Sequence, residues 1–360
     1  MDRNFYLELG RRGLRMPIGA HLVLKEKPNH HECLADGYKL GEVVVETARR
    51  FNTPLALPLM DLTIEKHDML TMIGIPPSKA DTFHFSACPT GAQLADLDAH
   101  LSDPPLGRLA VYCDALRYVA KHPDLVPVAM AIGPFSLMTK MLADPITPVY
   151  LAGTGVTGDE DPEVKTAETA LEMAIKIIER SIRSQVAAGA RAICLCEPAA
   201  NTVFLSPRQL SEPDNTVFER MVMAPNRRLR ALLKELDADL IFHNCGELIP
   251  EMVRSFCTLD PAVISLGSSR TLWEDEPLIP KTTVIFGNLP TKKFYSDAEM
   301  PESRVEMMSN ELAVRMQATG HPFILGSECD VLSVEGSEEI INSKVDVMMR
   351  AGGCGCSYCH

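Results

Sequence analysis

Short apolar segments alternate with segments of helical periodicity along most of the chain. The apolar segments are mostly continuous rather than interrupted by polar residues, which is typical of parallel strands that are covered on both faces. Seven of these segments predict strands, at 53–60, 127–135, 191–198, 239–246, 262–267, 282–290 and 322–331. Three further places are candidates for an eighth strand, at 16–22, 84–88 and 147–151.

The segments between the predicted strands have the spacing of amphipathic helices. The clearest is 164–190, in which apolar residues recur at helical spacing and Gly189 marks the end. Four other helices are predicted at 226–238, 247–258, 304–320 and 338–353. The glycine-rich, acidic segment 152–163 is interpreted as an exposed connector rather than a lid.

Repeated strand–helix alternation predicts an α/β fold with a parallel sheet. We expect a closed (β/α)8 TIM barrel that forms a single domain over 1–360. It would carry an N-terminal extension over about 1–50 and a cysteine-rich C-terminal tail at 351–360. The alternative is a doubly wound open sheet, but no predicted strand is followed by the Gly-x-Gly-x-x-Gly pattern of a dinucleotide fold.

Composition and charge exclude several classes of function. The net charge of −13 argues against nucleic acid as a partner, because a phosphate backbone attracts a basic surface. No apolar run reaches the length of roughly 18 residues that a membrane helix needs, and the first residues lack a signal-peptide core. We therefore expect a cytoplasmic protein. Its eleven cysteines are then reduced thiols, free to pack in the core or to bind a metal.

In a parallel barrel, functional groups gather where strands end and the following loops begin. Five predicted strands end close to residues that can do chemistry: Asp61 and Glu65; Cys194, Cys196 and Glu197; His243 and Cys245; Asn288; Glu328, Cys329 and Asp330. His243 and Cys245 are two positions apart on a strand, so they point to the same face. An imidazole and a thiolate together favour a transition metal, zinc above others. The alternative is a core cysteine beside a hydrogen-bonded histidine.

Three protein ligands, His243, Cys245 and Cys329, are predicted to converge at the mouth of the barrel. They leave a fourth position for a carboxylate, water or substrate, and Glu197 is the candidate carboxylate. Ligands this distant along the chain favour an open catalytic site over a structural staple, whose cysteines are usually paired closely in sequence. A site with an open position and two thiolates suits activation of a substrate thiol for alkyl transfer.

Asp61 and Asn288 are expected to line the pocket, because polar groups at strand ends orient a substrate, and with Glu197 they are the candidate catalytic residues. Each of the three has a structural alternative: turn formation for Asp61 and Asn288, and helix capping for Glu197. Cys194 is expected to pack in the core. At the end of the chain, Cys354, Cys356, Cys359 and His360 are dense enough to bind a second metal, although the sequence does not assign them a role.

The chain resembles the uroporphyrinogen decarboxylase superfamily, and within it the zinc-dependent, corrinoid-linked methyltransferases that include methylcorrinoid:coenzyme M methyltransferases. The motif His-x-Cys followed at long distance by a cysteine stands here as His243-Asn244-Cys245 and Cys329. Four other stretches are similar to landmarks of this superfamily: "MPIGAHLVL", "LPLMDLTIEKH", "IGPFSLMTKML" and "FGNLP". The resemblance spans about 15–350. True decarboxylases carry Arg-Gln-Ala-Gly-Arg near the N-terminus, for which "ELGRRGLRMP" is a poor substitute.

The resemblance implies a TIM barrel with zinc at its C-terminal mouth, over which a partner protein carrying a corrinoid docks. The implied activity moves a methyl group between that corrinoid and a small-molecule acceptor or donor such as a thiol. Three alternatives stay open. The protein could be a corrinoid-dependent demethylase for a methoxylated aromatic or a methylamine-type donor, a metal-free lyase similar to the decarboxylases, or a barrel in which zinc is only a staple or a store.

Overall fold

The computed structural model describes residues 1–212 and 215–350. Its centre is one sheet of eight strands, all parallel to their hydrogen-bonded neighbours. The strands are β1 (Arg15–Ile18), β2 (Leu55–Ala56), β3 (Val126–Ile132), β4 (Ala192–Cys196), β5 (Asp239–Asn244), β6 (Val263–Leu266), β7 (Val284–Leu289) and β8 (Phe323–Asp330). Their order across the sheet is β1-β8-β7-β6-β5-β4-β3-β2. The predicted α/β class and the eight parallel strands are confirmed.

Sixteen α-helices lie in the described part of the chain, most of them connecting successive strands. They are α1 (Arg3–Arg11), α2 (His21–Lys25), α3 (His30–Cys33), α4 (Gly37–Arg50), α5 (Ile64–Met72), α6 (Gly91–His100), α7 (Gly107–Val119), α8 (Pro134–Met141), α9 (Ile146–Gly153), α10 (Pro162–Ala187), α11 (Pro207–Leu210), α12 (Ala224–Glu235), α13 (Pro250–Cys257), α14 (Leu272–Asp275), α15 (Glu302–Thr319) and α16 (Glu338–Arg350). Short 3-10 helices occupy Pro77–Lys79, Glu276–Leu278 and Thr291–Lys293, and a π-helical turn spans Glu219–Met223.

The eighth strand is β1, so the first of the three candidate places is the right one. The candidate at 147–151 is wrong, because it lies within α9. The carboxylate of Asp144 accepts hydrogen bonds from the backbone N–H groups of Ile146 and Thr147, which starts a helix at that point. The candidate at 84–88 contributes an isolated bridge between Phe85 and Leu142.

Strand β2 is shorter than the predicted strand at 53–60. Prolines at positions 54 and 58 flank its two residues, and a proline has no N–H group to donate to a sheet. The chain beyond Pro58 therefore leaves the sheet early and runs along its carboxyl end as far as α5. This irregular stretch, 57–63, contains Met60 and the candidate site residue Asp61.

One face of the sheet is curled around an inner apolar cluster to which every strand contributes. Its members include Met16, Leu55, Val128, Cys194, Ile241, Val263, Val284 and Ile324. The other face packs against the surrounding helices through alternate residues such as Leu195 and Phe242. The two end strands approach each other at this cluster, since the Thr53 hydroxyl before β2 lies 3.3 Å from the Met16 sulfur of β1.

Helix α1 covers the amino-terminal end of the strands. Its Tyr6 and Leu7 belong to the inner cluster, and the Tyr6 hydroxyl donates a 2.9 Å hydrogen bond to Asp239 at the start of β5. The candidate site residues lie at the opposite, carboxyl end of the strands, where the following loops begin. None of the helices in residues 1–212 and 215–350 has both the length and the apolar character that a membrane crossing requires.

Candidate metal centre

Three side chains converge at the carboxyl end of the sheet, from positions far apart in sequence. His243 lies near the end of β5, Cys245 follows that strand, and Cys329 lies near the end of β8. Their ligand atoms all lie within 4.8 Å of one another. The alternation of side chains along β5 brings His243 and Cys245 to the same face, as their spacing predicts. We refer to these three residues as the His–Cys–Cys cluster.

The imidazole of His243 is buried and oriented by a single hydrogen bond. Its Nδ1 lies 2.9 Å from the hydroxyl oxygen of Ser265, while its Nε2 is buried and has no hydrogen-bond partner in residues 1–212 and 215–350. A buried nitrogen without a partner is costly unless something absent from the chain binds it. With Nδ1–H donating to Ser265, Nε2 carries the lone pair that a metal requires.

The two thiols of the cluster are close enough to titrate as a pair. A hydrogen bond from the Cys329 thiol lowers the pKa of Cys245 below its ordinary value, and His243 and Lys292 act in the same direction. The same contact, together with burial, raises the pKa of Cys329. One contact therefore shifts the pKa values of the two thiols in opposite directions, and a cation bound by both sulfurs would hold both of them as thiolates.

This donor set fits a zinc ion. One imidazole nitrogen and two thiolates match the preference of Zn²⁺ for nitrogen and sulfur ligands, and three protein ligands are the number found in catalytic zinc sites. All eight cysteines in the described residues are free thiols, so neither Cys245 nor Cys329 is consumed in a disulfide. The cluster contains no carboxylate, a ligand that suits hard cations such as Mg²⁺ or Ca²⁺.

Glu197, expected as a fourth ligand, lies outside the cluster. Its Oε1 accepts a 2.6 Å hydrogen bond from the backbone N–H of Ser136, and its Oε2 accepts one of 3.0 Å from the Asn226 side chain. The preceding residue, Cys196, belongs to the inner cluster, so alternation turns Glu197 towards the helices. Burial raises the pKa of this carboxyl group. Through these two hydrogen bonds Glu197 links α8 to α12.

Asp61 lies at the carboxyl end of the sheet but is committed to its neighbours. It forms an ion pair with Arg108 of α7 and accepts hydrogen bonds of 3.1 and 2.7 Å from the backbone and hydroxyl of Thr63. Arg108 also donates to the Thr63 hydroxyl at 2.8 Å. The contacts with Thr63 stabilise a turn, which is the structural alternative predicted for Asp61. The ion pair with Arg108 connects the loop after β2 to α7.

Asn288 and Glu328 hold the loop that follows β6. The Asn288 amide donates hydrogen bonds of 2.8 Å to the backbone oxygens of Gly267 and Arg270. The Glu328 carboxylate accepts hydrogen bonds of 3.2 and 2.6 Å from the backbone and hydroxyl of Ser268. Strands β7 and β8 therefore brace this loop from two sides, and both amide donors of Asn288 are already used.

Cys194 and Cys196 lie on the inner face of the sheet, on the strand next to the one that carries His243. Their sulfur atoms are 3.8 Å apart, and both side chains belong to the inner apolar cluster. Cys196 is the register partner of His243 across the β4–β5 ladder. Burial raises the pKa of Cys196, so this thiol stays protonated. The packing role predicted for Cys194 agrees with its position.

The sequence patterns assign no role to Ser265, which contacts His243, or to Lys292. They also do not indicate the contact between the sulfurs of Met60 and Cys329 or the hydrogen bond from the Met60 N–H to Asp330. Lys292 is exposed in the 3-10 helix after β7. Desolvation by neighbouring residues acts to lower the pKa of Lys292. The negative charges of Cys245, Glu328 and Cys329 outweigh this effect, so the pKa is raised. The positive charge of Lys292 acts on both thiols of the cluster. The C-terminal candidates Cys354, Cys356, Cys359 and His360 lie outside the described residues.

Fold and site together define a class: a parallel α/β sheet of eight strands with one histidine and two cysteines converging at its carboxyl end. The chain belongs to the uroporphyrinogen decarboxylase family, whose model, described as "Uroporphyrinogen decarboxylase (URO-D)", matches residues 18–347. The family expected from the sequence motifs is therefore confirmed.

Among solved structures, the chain is similar to a methyltransferase from Methanosarcina mazei. The two share 13% sequence identity with a TM-score of 0.63, over 92% of this chain and 94% of that one. At this identity the similarity establishes a common fold and leaves the activity to be argued from the site. No protein of curated function matches the sequence.

Proposed function

We propose that the protein is a zinc-dependent methyltransferase that moves a methyl group between a corrinoid carried by a partner protein and a second substrate, a thiol. The observation that carries the proposal is the buried Nε2 of His243, which has no partner in the described residues and faces two thiols at the open end of the sheet. Membership of the family and the methyltransferase fold of the structural neighbour support it.

In this proposal His243, Cys245 and Cys329 hold the zinc ion. Bound zinc would lower the pKa of a coordinated substrate thiol, so that the thiol is a thiolate, and thus a nucleophile, at neutral pH. Ser265 keeps the imidazole in one orientation and one tautomer. Cys245 and Cys329 supply two negative charges that balance the dication, and Lys292 offsets the additional charge of a substrate thiolate.

The direction of transfer is open, because the same residues serve either direction. A demethylase acting on a methoxylated aromatic or a methylamine-type donor would use the same centre to polarise its substrate. A metal-free lyase for a polycarboxylate is less well supported. Such a substrate needs unpaired cationic side chains, and Arg108 and Arg270 near the strand ends are tied to Asp61 and Asp275.

We further propose that the sheet closes into a TIM barrel, with β1 beside β2. The shared inner cluster and the contact between Thr53 and Met16 support this arrangement. Closure leaves one open end, the carboxyl end, at which the His–Cys–Cys cluster faces outward. A corrinoid protein would have to dock over this end, because a methyl group is transferred only between atoms that approach directly.

Metal analysis of the purified protein tests the proposal. We expect about one zinc per chain in the wild type and almost none in the double variant Cys245→Ala, Cys329→Ala. The double variant Cys88→Ala, Cys257→Ala, which removes two free thiols that do not belong to the cluster, is the control and should keep its zinc. The rate at which each protein demethylates free methylcobalamin in the presence of 2-mercaptoethanol should be proportional to its zinc content. Full zinc in the first variant, or transfer without zinc, would reject the proposal.

A further inference from the structure

A methionine sulfur lies against the His–Cys–Cys cluster. The thioether Sδ of Met60 is 3.6 Å from the Sγ of Cys329. Two sulfur ligands bound at about 2.3 Å to one tetrahedral ion are separated by about 3.8 Å, from the geometry of the tetrahedron. The distance between the Met60 and Cys329 sulfurs is therefore close to the distance expected between two sulfur ligands of the same ion.

The backbone of Met60 is fixed to the strand that carries Cys329. Its N–H donates a 3.0 Å hydrogen bond to Oδ2 of Asp330, the residue that follows Cys329. The Asp330 carboxylate is buried against Gly19, where a Cβ atom would come within 2.4 Å of Oδ1 and where φ is +77°. The close fit among Gly19, Asp330 and Met60 brings the loop after β2 to the end of β8.

The side chain of Met60 is also placed where a substrate could replace it. It packs on the inner apolar cluster and remains partly exposed at the carboxyl end of the sheet. The two oxygens of Glu197, the acid expected to complete the site, are bound by Ser136 and Asn226. Among His, Cys, Asp and Glu side chains in the described residues, only the three cluster members converge at this point.

We propose that Met60 supplies the fourth, exchangeable ligand of the zinc centre and that the substrate thiol takes its place. The inference rests on the proposed function. A thioether is neutral and a weak donor for Zn²⁺, so it protects the centre without competing strongly with a thiolate. In the exchange the thiol loses its proton to solvent and binds as thiolate, while Met60 leaves unchanged as a neutral thioether. Lys292 compensates the added negative charge.

X-ray absorption of the zinc-loaded protein tests this inference by counting sulfur ligands. The variants are Met60→Leu, which keeps the bulk and removes the sulfur, and Met72→Leu, which makes the same change at a partly buried methionine of α5. Three sulfurs per zinc are expected in the wild type and in Met72→Leu, but two in Met60→Leu. Excess 2-mercaptoethanol should leave all three proteins with three sulfurs. Two sulfurs in the untreated wild type would overturn the inference.

Affinity for the probe thiol is the second readout. In the cobalt-substituted protein, 2-mercaptoethanol binding is followed by the thiolate-to-cobalt absorption band. Met60→Leu should bind the thiol several-fold more tightly than the wild type and Met72→Leu, because no internal ligand has to be displaced. Equal affinity in all three proteins would contradict the exchange. If zinc binds and methyl transfer proceeds but only two sulfurs are found, the inference about Met60 fails while the proposed function stands; absence of zinc would reject the function itself.

Discussion

The Nδ1 of His243 lies 2.9 Å from the hydroxyl oxygen of Ser265, its register partner on the neighbouring strand. The contact spans the β5–β6 ladder, so the backbone of the sheet determines both positions. Both residues are buried, and the imidazole cannot turn without breaking this bond. A metal-binding histidine commonly donates its second ring N–H in this way, and the partner tunes metal affinity without touching the metal.

Replacement of Ser265 by alanine should weaken zinc binding while leaving the ligand set intact. We expect an affinity loss of about 10–100-fold, because the imidazole loses the partner that sets its tautomer and orientation. Competition with a chromophoric chelator measures the affinity. Ser309→Ala removes another fully buried serine hydroxyl, on α15, and serves as the control. Equal zinc affinity in the two variants would show that Ser265 does not orient the ligand.

Lys292 should affect thiol binding through its charge alone. We expect Lys292→Met to weaken binding of a negatively charged thiol by about 2–10-fold at low ionic strength. The bound thiolate is repelled by the two cysteine thiolates, and the positive charge of Lys292 offsets this repulsion. The effect should shrink in about 0.5 M salt, since Lys292 is exposed and screened. Lys293→Met is a matched control at the next position. Isothermal titration with coenzyme M as the probe compares the variants, and identical losses at both positions would exclude a specific role for Lys292.

Glu197 should contribute to stability rather than to metal binding. Glu197→Ala leaves the Ser136 N–H without its acceptor and the Asn226 amide with only its second acceptor, the Val222 carbonyl. We expect the free energy of unfolding to fall by about 2–4 kcal/mol. Zinc content per chain should not change. Urea unfolding and metal analysis of the same preparation provide the two readouts. A variant that folds with wild-type stability but loses zinc would restore Glu197 as a ligand.

The general architecture could be predicted from sequence because it depends on local patterns, and the three-residue cluster because the carboxyl ends of parallel strands meet at one end of the sheet. Continuous apolar segments separated by amphipathic helices are enough to indicate a parallel sheet. The period of two along a strand places His243 and Cys245 on one face. The same period places Glu197 on the face opposite Cys196, where its carboxylate accepts hydrogen bonds from Ser136 and Asn226.

Contacts between distant loops could not be predicted in the same way. Met60 reaches Cys329 because two prolines end β2 early and Asp330 binds the following loop, and neither effect is visible in a hydrophobic pattern. Lys292 lies in an ordinary short polar segment, whose position beside the thiols depends on the packing of the 3-10 helix against β8. Asn288 stands at the predicted strand end, yet its donors hold the backbone of the neighbouring loop.

Glu65 of α5 is a buried acid outside the metal centre. Its Oε1 accepts a 2.9 Å hydrogen bond from the Ser181 hydroxyl, whereas its Oε2 is buried without a partner in the described part of the chain. Burial raises the pKa of this carboxyl group to about 7, from an ordinary value of 4.5. In the folded protein Glu65 therefore keeps its proton at a pH at which the unfolded chain has lost it.

This difference makes stability depend on pH in a defined direction. Between pH 4.5 and about 7 the folded state binds more protons at Glu65 than the unfolded state, so its contribution is fully present below this range and is lost as pH rises through it. Glu65→Gln keeps the acceptor for Ser181 and has no charge to bury. Relative to the wild type, the variant should therefore gain about 2–3 kcal/mol between about pH 5 and about pH 8.

Urea unfolding at these two pH values measures the difference for the wild type and for Glu65→Gln. Glu42→Gln, at an exposed glutamate of α4, is the control and should follow the wild type at both pH values. The comparison isolates Glu65 because each protein is its own reference at the lower pH. A Glu65→Gln variant that loses stability with pH in parallel with the wild type would mean that the buried carboxyl group is not protonated in the folded state.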